Sequence, residues 1–148
     1  MVEALQALRG VPFTVAVTTV AELGDLTRFD TPRQLMNSLG FTPAESATGA
    51  RRRQGGITKT GNTHARRALL AGAWASRSPA TISRHLQLRL EKVPQPIQDM
   101  SGKAQVRLCK RDRQLSARGK NPNQVVVAIA RERSACMWAI AQEVPLTP

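Results

Sequence analysis

Between Glu45 and Arg67 the sequence reads ESATGARRRQGGITKTGNTHARR, with hydroxyls at Ser46 and Thr48 set just ahead of Arg51, Arg52 and Arg53. Gly55 and Gly56 follow, then the run Lys59, Thr60, Gly61, Asn62, and then Arg66 and Arg67. A hydroxyl beside guanidinium groups suits chemistry on a phosphodiester, because the oxygen supplies the nucleophile and the cations offset the charge that develops at phosphorus. The glycines let backbone amides approach a phosphate. Arg51, Arg52, Arg53, Gly55, Gly56, Lys59, Thr60, Gly61, Asn62, Arg66 and Arg67 are therefore the candidate DNA contacts, and Ser46 and Thr48 the candidate nucleophiles. The plain alternative is a solvated basic loop. His64 reads as a helix-surface histidine rather than a base.

Metal-assisted cleavage needs carboxylates held together. The acids Glu3, Glu22, Asp25, Asp30, Glu45, Glu91, Asp99, Asp112, Glu132 and Glu143 are scattered without a DxD pair. A self-sufficient two-metal nuclease is thus not expected, nor a metal site. Cys109 and Cys136 lie far apart with no CxxC spacing, which argues against zinc and for reduced, small core residues. Lys and Arg number 22 against 10 Asp and Glu, a net charge of +12 with a pI near 11.5. Nucleic acid is the leading partner for such a surface, ahead of an anionic membrane. No apolar run approaches the roughly 18 residues of a membrane span, and no signal-peptide order is present. A soluble, intracellular protein is expected.

The elements that must position these residues read as helices. With 148 residues and 41% apolar content, the chain suits one compact domain. Helical periodicity dominates and strand-like alternation is scarce, so the expected fold is all-α, with helix-hairpin-helix-like elements and two long C-terminal helices. VEALQALR is a short helix ended by Gly10, and PFTVAVTTVAELGD a second, entered at Pro12 and closed near Gly24. The turn between them, LRGVPFTVA, could offer free amides to a phosphate. Thr31 and Pro32 start a third helix that stops at Gly40. Residues 41–61 read as loop. Thr60 or Asn62 caps a helix running to about Ser76, and Ser78 with Pro79 opens another that ends before VPQP. Two long helices follow, about 98–118 and 122–143, the first with a basic face and the second with an apolar stripe that Arg133 interrupts.

Four segments, LRGVPFTVAVTTVAELGDLTRFDTPRQLMNSLGFTP, GARRRQGGITKTGNTHARRALLAGAWASR, KAQVRLCKR and ARGKNPNQVVVAIARE, closely resemble the C-terminal half of insertion-sequence transposases related to the Piv site-specific invertase. The resemblance covers nearly the whole chain. It implies a role in DNA transposition and recombination. It also implies an N-terminal RuvC-like domain whose DEDD carboxylates bind Mg2+, a serine nucleophile in the C-terminal domain, and a bridge RNA that guides the choice of DNA. In that family the loop after LG-x-x-P resembles P-x-E-x-S-S-G, the serine before glycine being the nucleophile. Here the matching residues are Pro43, Glu45, Ala47, Thr48 and Gly49, so Thr48 holds the serine position and Ser46 lies two residues away. The threonine methyl restricts the rotamer and crowds an in-line attack.

The sequence departs from the family elsewhere too. Gly102 and Asp112 stand where aromatic residues are common, and Arg133 and Ser134 where apolar ones are. Each departure costs about 1–3 kcal/mol at a buried site. With the chain starting at Met1, the carboxylate domain is expected to be absent. The expectation is therefore a transposase C-terminal domain over 1–148, a truncated or separately encoded copy in the bacterial cytoplasm, inactive alone. It would have no cofactor of its own, Mg2+ entering only with the missing DEDD domain. Its expected partners are DNA, bridge RNA, a second copy or a full-length transposase, and no membrane. The alternative is a noncatalytic structured-RNA-binding or scaffold module, suggested by the basic face of 98–118. A generic basic structural protein fits the charge but not the ordered motifs.

Overall fold

Side chains at the segment boundaries set most of the helix starts. The Thr31 hydroxyl accepts from the Gln34 amide ahead of helix α3, Pro32–Ser38. Asn62 Oδ1 accepts from the Ala65 amide at 2.9 Å ahead of α4, Thr63–Ala73. Ser83 does the same for α5, Arg84–Leu90, and Asn121 for α7, Pro122–Glu143. Each satisfies an amide that the helix itself leaves open. The computed structural model describes residues 1–145, and for residues 46–48 and 52–54 the backbone alone.

The other helices are α1, Val2–Leu5, α2, Phe13–Leu23, and α6, Gln95–Ala117, with 3-10 turns at Leu26–Arg28 and Trp74–Arg77. The fold is mostly α, as expected, and the two long C-terminal helices are present. They pack along each other, and α7 also carries α1, α3 and α4 on its other sides. Its buried residues accordingly wrap a broad arc, including Val125, Val126, Ile129, Met137 and Ile140. Leu5, Leu8, Leu35, Leu39, Phe41 and Leu69 complete the core.

Three local expectations are corrected. Residues 41–61 are not all loop: they contain an antiparallel pair, β1, Pro43–Thr48, and β2, Arg51–Ile57. The helix expected to open at Ser78 and Pro79 starts only at Arg84. Backbone carbonyls ahead of it are used by other elements, since Arg9 Nη1 donates to the Pro79 carbonyl at 2.5 Å and Gln105 Nε2 to the Thr81 carbonyl at 2.8 Å. These bonds hold the segment extended. The first helix stops at Leu5 rather than covering VEALQALR.

The polar departures behave in two ways. Gly102 is exposed, with nothing within 4 Å of where a Cβ would stand. Arg133, Ser134 and Asp112 are buried. Arg133 Nη2 donates to Ser76 Oγ at 2.8 Å, while its Nε and Nη1 have no partner among the described residues. Burial holds its pKa down to about 10. Asp112 Oδ1 accepts from Ser116 Oγ, and its Oδ2 has no partner among the described residues.

Candidate nucleic-acid interface

The hairpin is built from residues with little intrinsic strand preference, and its geometry comes from its glycines. A two-residue turn, Gly49 and Ala50, joins the strands, with Gly49 at φ +60°, where a side chain would be strained. The register sets Thr48 opposite Arg51, Ala47 opposite Arg52, and Ser46 opposite Arg53. Between the Glu45–Gln54 and Pro43–Ile57 pairs the register shifts, so Ala44 on one strand faces both Gly55 and Gly56 on the other. Such a bulge bends and twists the strand that carries it. Ala44, Glu45, Arg51, Gly55 and Gly56 are exposed, whereas Ile57 and Phe41 anchor the base in the core. The hairpin is an arm rooted in the helical body.

Where the arm returns to the body, the sequence stretch divides its duties. Lys59 has φ +56° and its amide donates to the Gly40 carbonyl. Gly61, at φ +95°, passes so close to the Ser38 carbonyl that a Cβ would overlap it. Asn62 caps α4 and its Nδ2 donates to Glu22 Oε2 at 2.8 Å. Arg66 is 8% exposed, and its Nη1 donates to the Leu39 carbonyl, so it braces the end of α3. Arg51, Lys59, Thr60 and Arg67 are exposed. The side chains of Ser46, Thr48, Arg52 and Arg53 lie outside the described residues.

A cleft of about 680 Å3 opens between the hairpin base, α4 and α7. Gly55, Gly56, Lys59 and Arg66 line it, as do residues the sequence stretch did not contain: Arg111, Lys120, Gln124 and Arg131. Leu70, Val127 and Ala128 supply apolar surface. Among the described residues no Asp or Glu lines the cleft. Arg111 is paired with Glu132 outside it, Nε to Oε1 at 3.2 Å, which leaves Lys59, Lys120 and Arg131 as cations without a carboxylate partner among the described residues. Lys120, in the turn between α6 and α7, and Arg131, on α7, are separated from Lys59 by more than fifty positions, and the packing of α7 beside α4 helps bring them to the same cleft.

A second groove, along α6, is lined by Gly102, Lys103, Val106, Arg107, Lys110 and Gln114, with Glu132 pairing Arg107 at its edge. Among the described residues no three His, Cys, Asp or Glu side chains converge as a metal site would require. Both cysteines are free, Cys109 buried and Cys136 half-buried, and burial pushes the Cys136 thiol up. Among the described residues no helix is long and apolar enough to cross a membrane.

Residues 2–86 match the sequence profile described as Transposase IS116/IS110/IS902 family. A Sinorhizobium fredii protein assigned as a transposase, y4qE, is 48% identical over 140 residues, which is 95% of this chain and 36% of that protein. The transposase for insertion sequence element IS1111A of Coxiella burnetii is 26% identical over 136 residues, 92% of this chain and 31% of that protein. The chain spans about a third of the length of these relatives.

Proposed function

The chain belongs to the IS116/IS110/IS902 family of transposases, and from that membership we propose that it is the DNA-holding part of a transposase, gripping phosphates with the arm and the cations beside it. The observation that carries this reading is the cluster of Lys59, Lys120 and Arg131 at an acid-free cleft beneath an exposed arm bearing Arg51. Cations from separate segments, with no carboxylate to neutralise them, suit a polyanion. Arg52 and Arg53 follow Arg51 along the same strand, and Arg67 on α4 is a further exposed cation. Arg66, Gly61 and Asn62 support it from within.

In the finer kinship with Piv-related enzymes, Thr48 takes the place of the serine nucleophile. Its backbone register opposite Arg51 supports that role, because the two residues are cross-strand partners and a cation near the attacking oxygen is what such chemistry uses. Strand cleavage then draws its metal-binding carboxylates from outside the described residues. This chain by itself binds DNA without cutting it.

A second reading, in which a structured RNA such as a bridge RNA is the ligand, is favoured by the groove along α6, where Lys103 and Lys110 are exposed beside Gly102. Fluorescence anisotropy with duplex DNA and a structured RNA of equal length, at matched salt, tests both. The DNA reading expects tighter duplex binding that weakens by at least about tenfold between 50 and 200 mM salt. Preference for the RNA overturns it in favour of the second.

A further inference from the structure

The cleft beneath the hairpin has a depth and a floor that contact with a continuous duplex backbone does not need. Lys59, Lys120 and Gln124 are exposed and form its rim, whereas Leu70, Val127 and Ala128 are half-buried and form its floor. Arg131, also half-buried, lines the cleft with them. Phosphates running over the surface would satisfy the rim and leave about 680 Å3 of apolar-floored space unfilled. Concave sites of this size, with an apolar floor and a few polar groups at the edge, are the usual form of a small-ligand pocket. The ligand that combines a flat, weakly polar body with an attached anion, and that a DNA-holding surface meets, is a nucleotide.

We propose that this cleft receives a single unpaired nucleotide drawn out of a DNA strand, its base laid on Leu70, Val127 and Ala128 and its phosphate held at the rim by Lys59 and Lys120. Gln124, in the first turn of α7, offers a donor and an acceptor to the base edge. The floor is aliphatic, so it distinguishes an unstacked base from a stacked one more than one base from another. Drawing a base out of an intact duplex costs a few kcal/mol, and that cost is absent where the nucleotide is already unpaired. The site therefore favours DNA that is bulged, branched or locally open. The inference rests on the DNA reading above and names what the part of the surface behind the arm takes.

The test uses two duplexes that are identical except for one extra, unpaired 2-aminopurine in the second. Binding of the full chain to each is measured by anisotropy, and the emission of the 2-aminopurine is followed on addition of protein. The bulged duplex is expected to bind at least about fivefold tighter, with a clear change in emission. Ala128→Leu, which fills the floor, and Gln124→Glu, at an exposed position that leaves the core untouched, are each expected to bring the ratio of the two affinities toward one. Because the readout is a ratio, a general loss of DNA binding does not imitate it. Equal affinity of the unmodified chain for both duplexes overturns this inference and leaves the DNA reading standing. So does a ratio that neither variant changes. Absence of binding to either duplex overturns both.

Discussion

Gly10 and Gly72 meet backbone to backbone: a Cβ added to either would overlap the carbonyl oxygen of the other, and one on Gly10 would also stand 2.6 Å from Arg133 Nη1. Gly10 lies in the turn between α1 and α2, and Gly72 in the last turn of α4, so this contact sets how closely the N-terminal helices dock on the body. Sequence reading offered that turn to a phosphate. The packing supplies its glycine with another reason.

Gly72→Ala separates local from tertiary effects. Helix propensity alone favours alanine by about 1 kcal/mol in a helix interior. The close contact opposes it, and forcing a methyl into such a gap costs about 1–3 kcal/mol or more. We expect a net loss of stability in urea denaturation, and an increase would contradict the contact.

Arg133 is the largest of the fully buried side chains and keeps one hydrogen bond, to Ser76. Arg133→Met removes a desolvated charge, and we expect stability to be unchanged or higher by up to about 2 kcal/mol. Burial lowers the pKa to about 10, so below that pH the side chain is charged in both the folded and unfolded states and adds no slope. Above it the unfolded state binds more protons, the folded protein gains stability as pH rises, and its gap to Arg133→Met closes. Thermal melts from about pH 6 to about pH 9 should show a constant difference. A large loss in the methionine variant would show that the guanidinium holds the fold together.

Lys59 occupies the left-handed region at φ +56°, at the root of the arm. A non-glycine residue there carries strain of about 1–2 kcal/mol. Lys59→Gly relieves it and removes a cation, so stability should rise by about 0.5–1 kcal/mol, less than the full strain because glycine also gains freedom in the unfolded chain, while DNA affinity falls. Opposite movement in the two assays is the signature of a residue kept for its charge. A variant that binds DNA as well as the unmodified chain would remove Lys59 from the interface.

The helices were legible in the sequence because their start signals are local. Thr31, Asn62 and Asn121 each cap a helix whose first residues they nearly adjoin. The hairpin was not, since its strands carry one β-branched residue each, Thr48 and Ile57, and lack the alternation that a half-buried strand shows. Its one local signal was Gly49, followed by Ala50, at the turn. The arginine-rich stretch was legible from its hydroxyls, glycines and charges, yet these could not reveal that Arg66 turns inward to the Leu39 carbonyl. Nor could they reveal Lys120, in the turn between α6 and α7, and Arg131, on α7, which reach the cleft through tertiary packing. The burial of Arg133 was legible as a break in an apolar stripe, and its partner Ser76, on a different element, was not.

Thr48→Ser tests the nucleophile position in the setting where chemistry is expected. In a full-length relative carrying this segment, the serine relieves the crowding of the threonine methyl, and a covalent protein–DNA adduct on denaturing gels should increase by about tenfold or more. The same assay with this chain alone should give no adduct. An adduct lost in Ser46→Ala and retained in Thr48→Ala would move the nucleophile to Ser46.

The central claim is that the arm holds DNA phosphates, and the salt dependence of duplex binding measures it most directly. The slope of log affinity against log salt should be less steep by about 2–3 in the variant carrying Arg51→Ala, Arg52→Ala and Arg53→Ala, because each lost phosphate contact removes about 0.9 from its magnitude. Circular dichroism would show the helical body intact in that variant. An unchanged slope and unchanged affinity would contradict the claim.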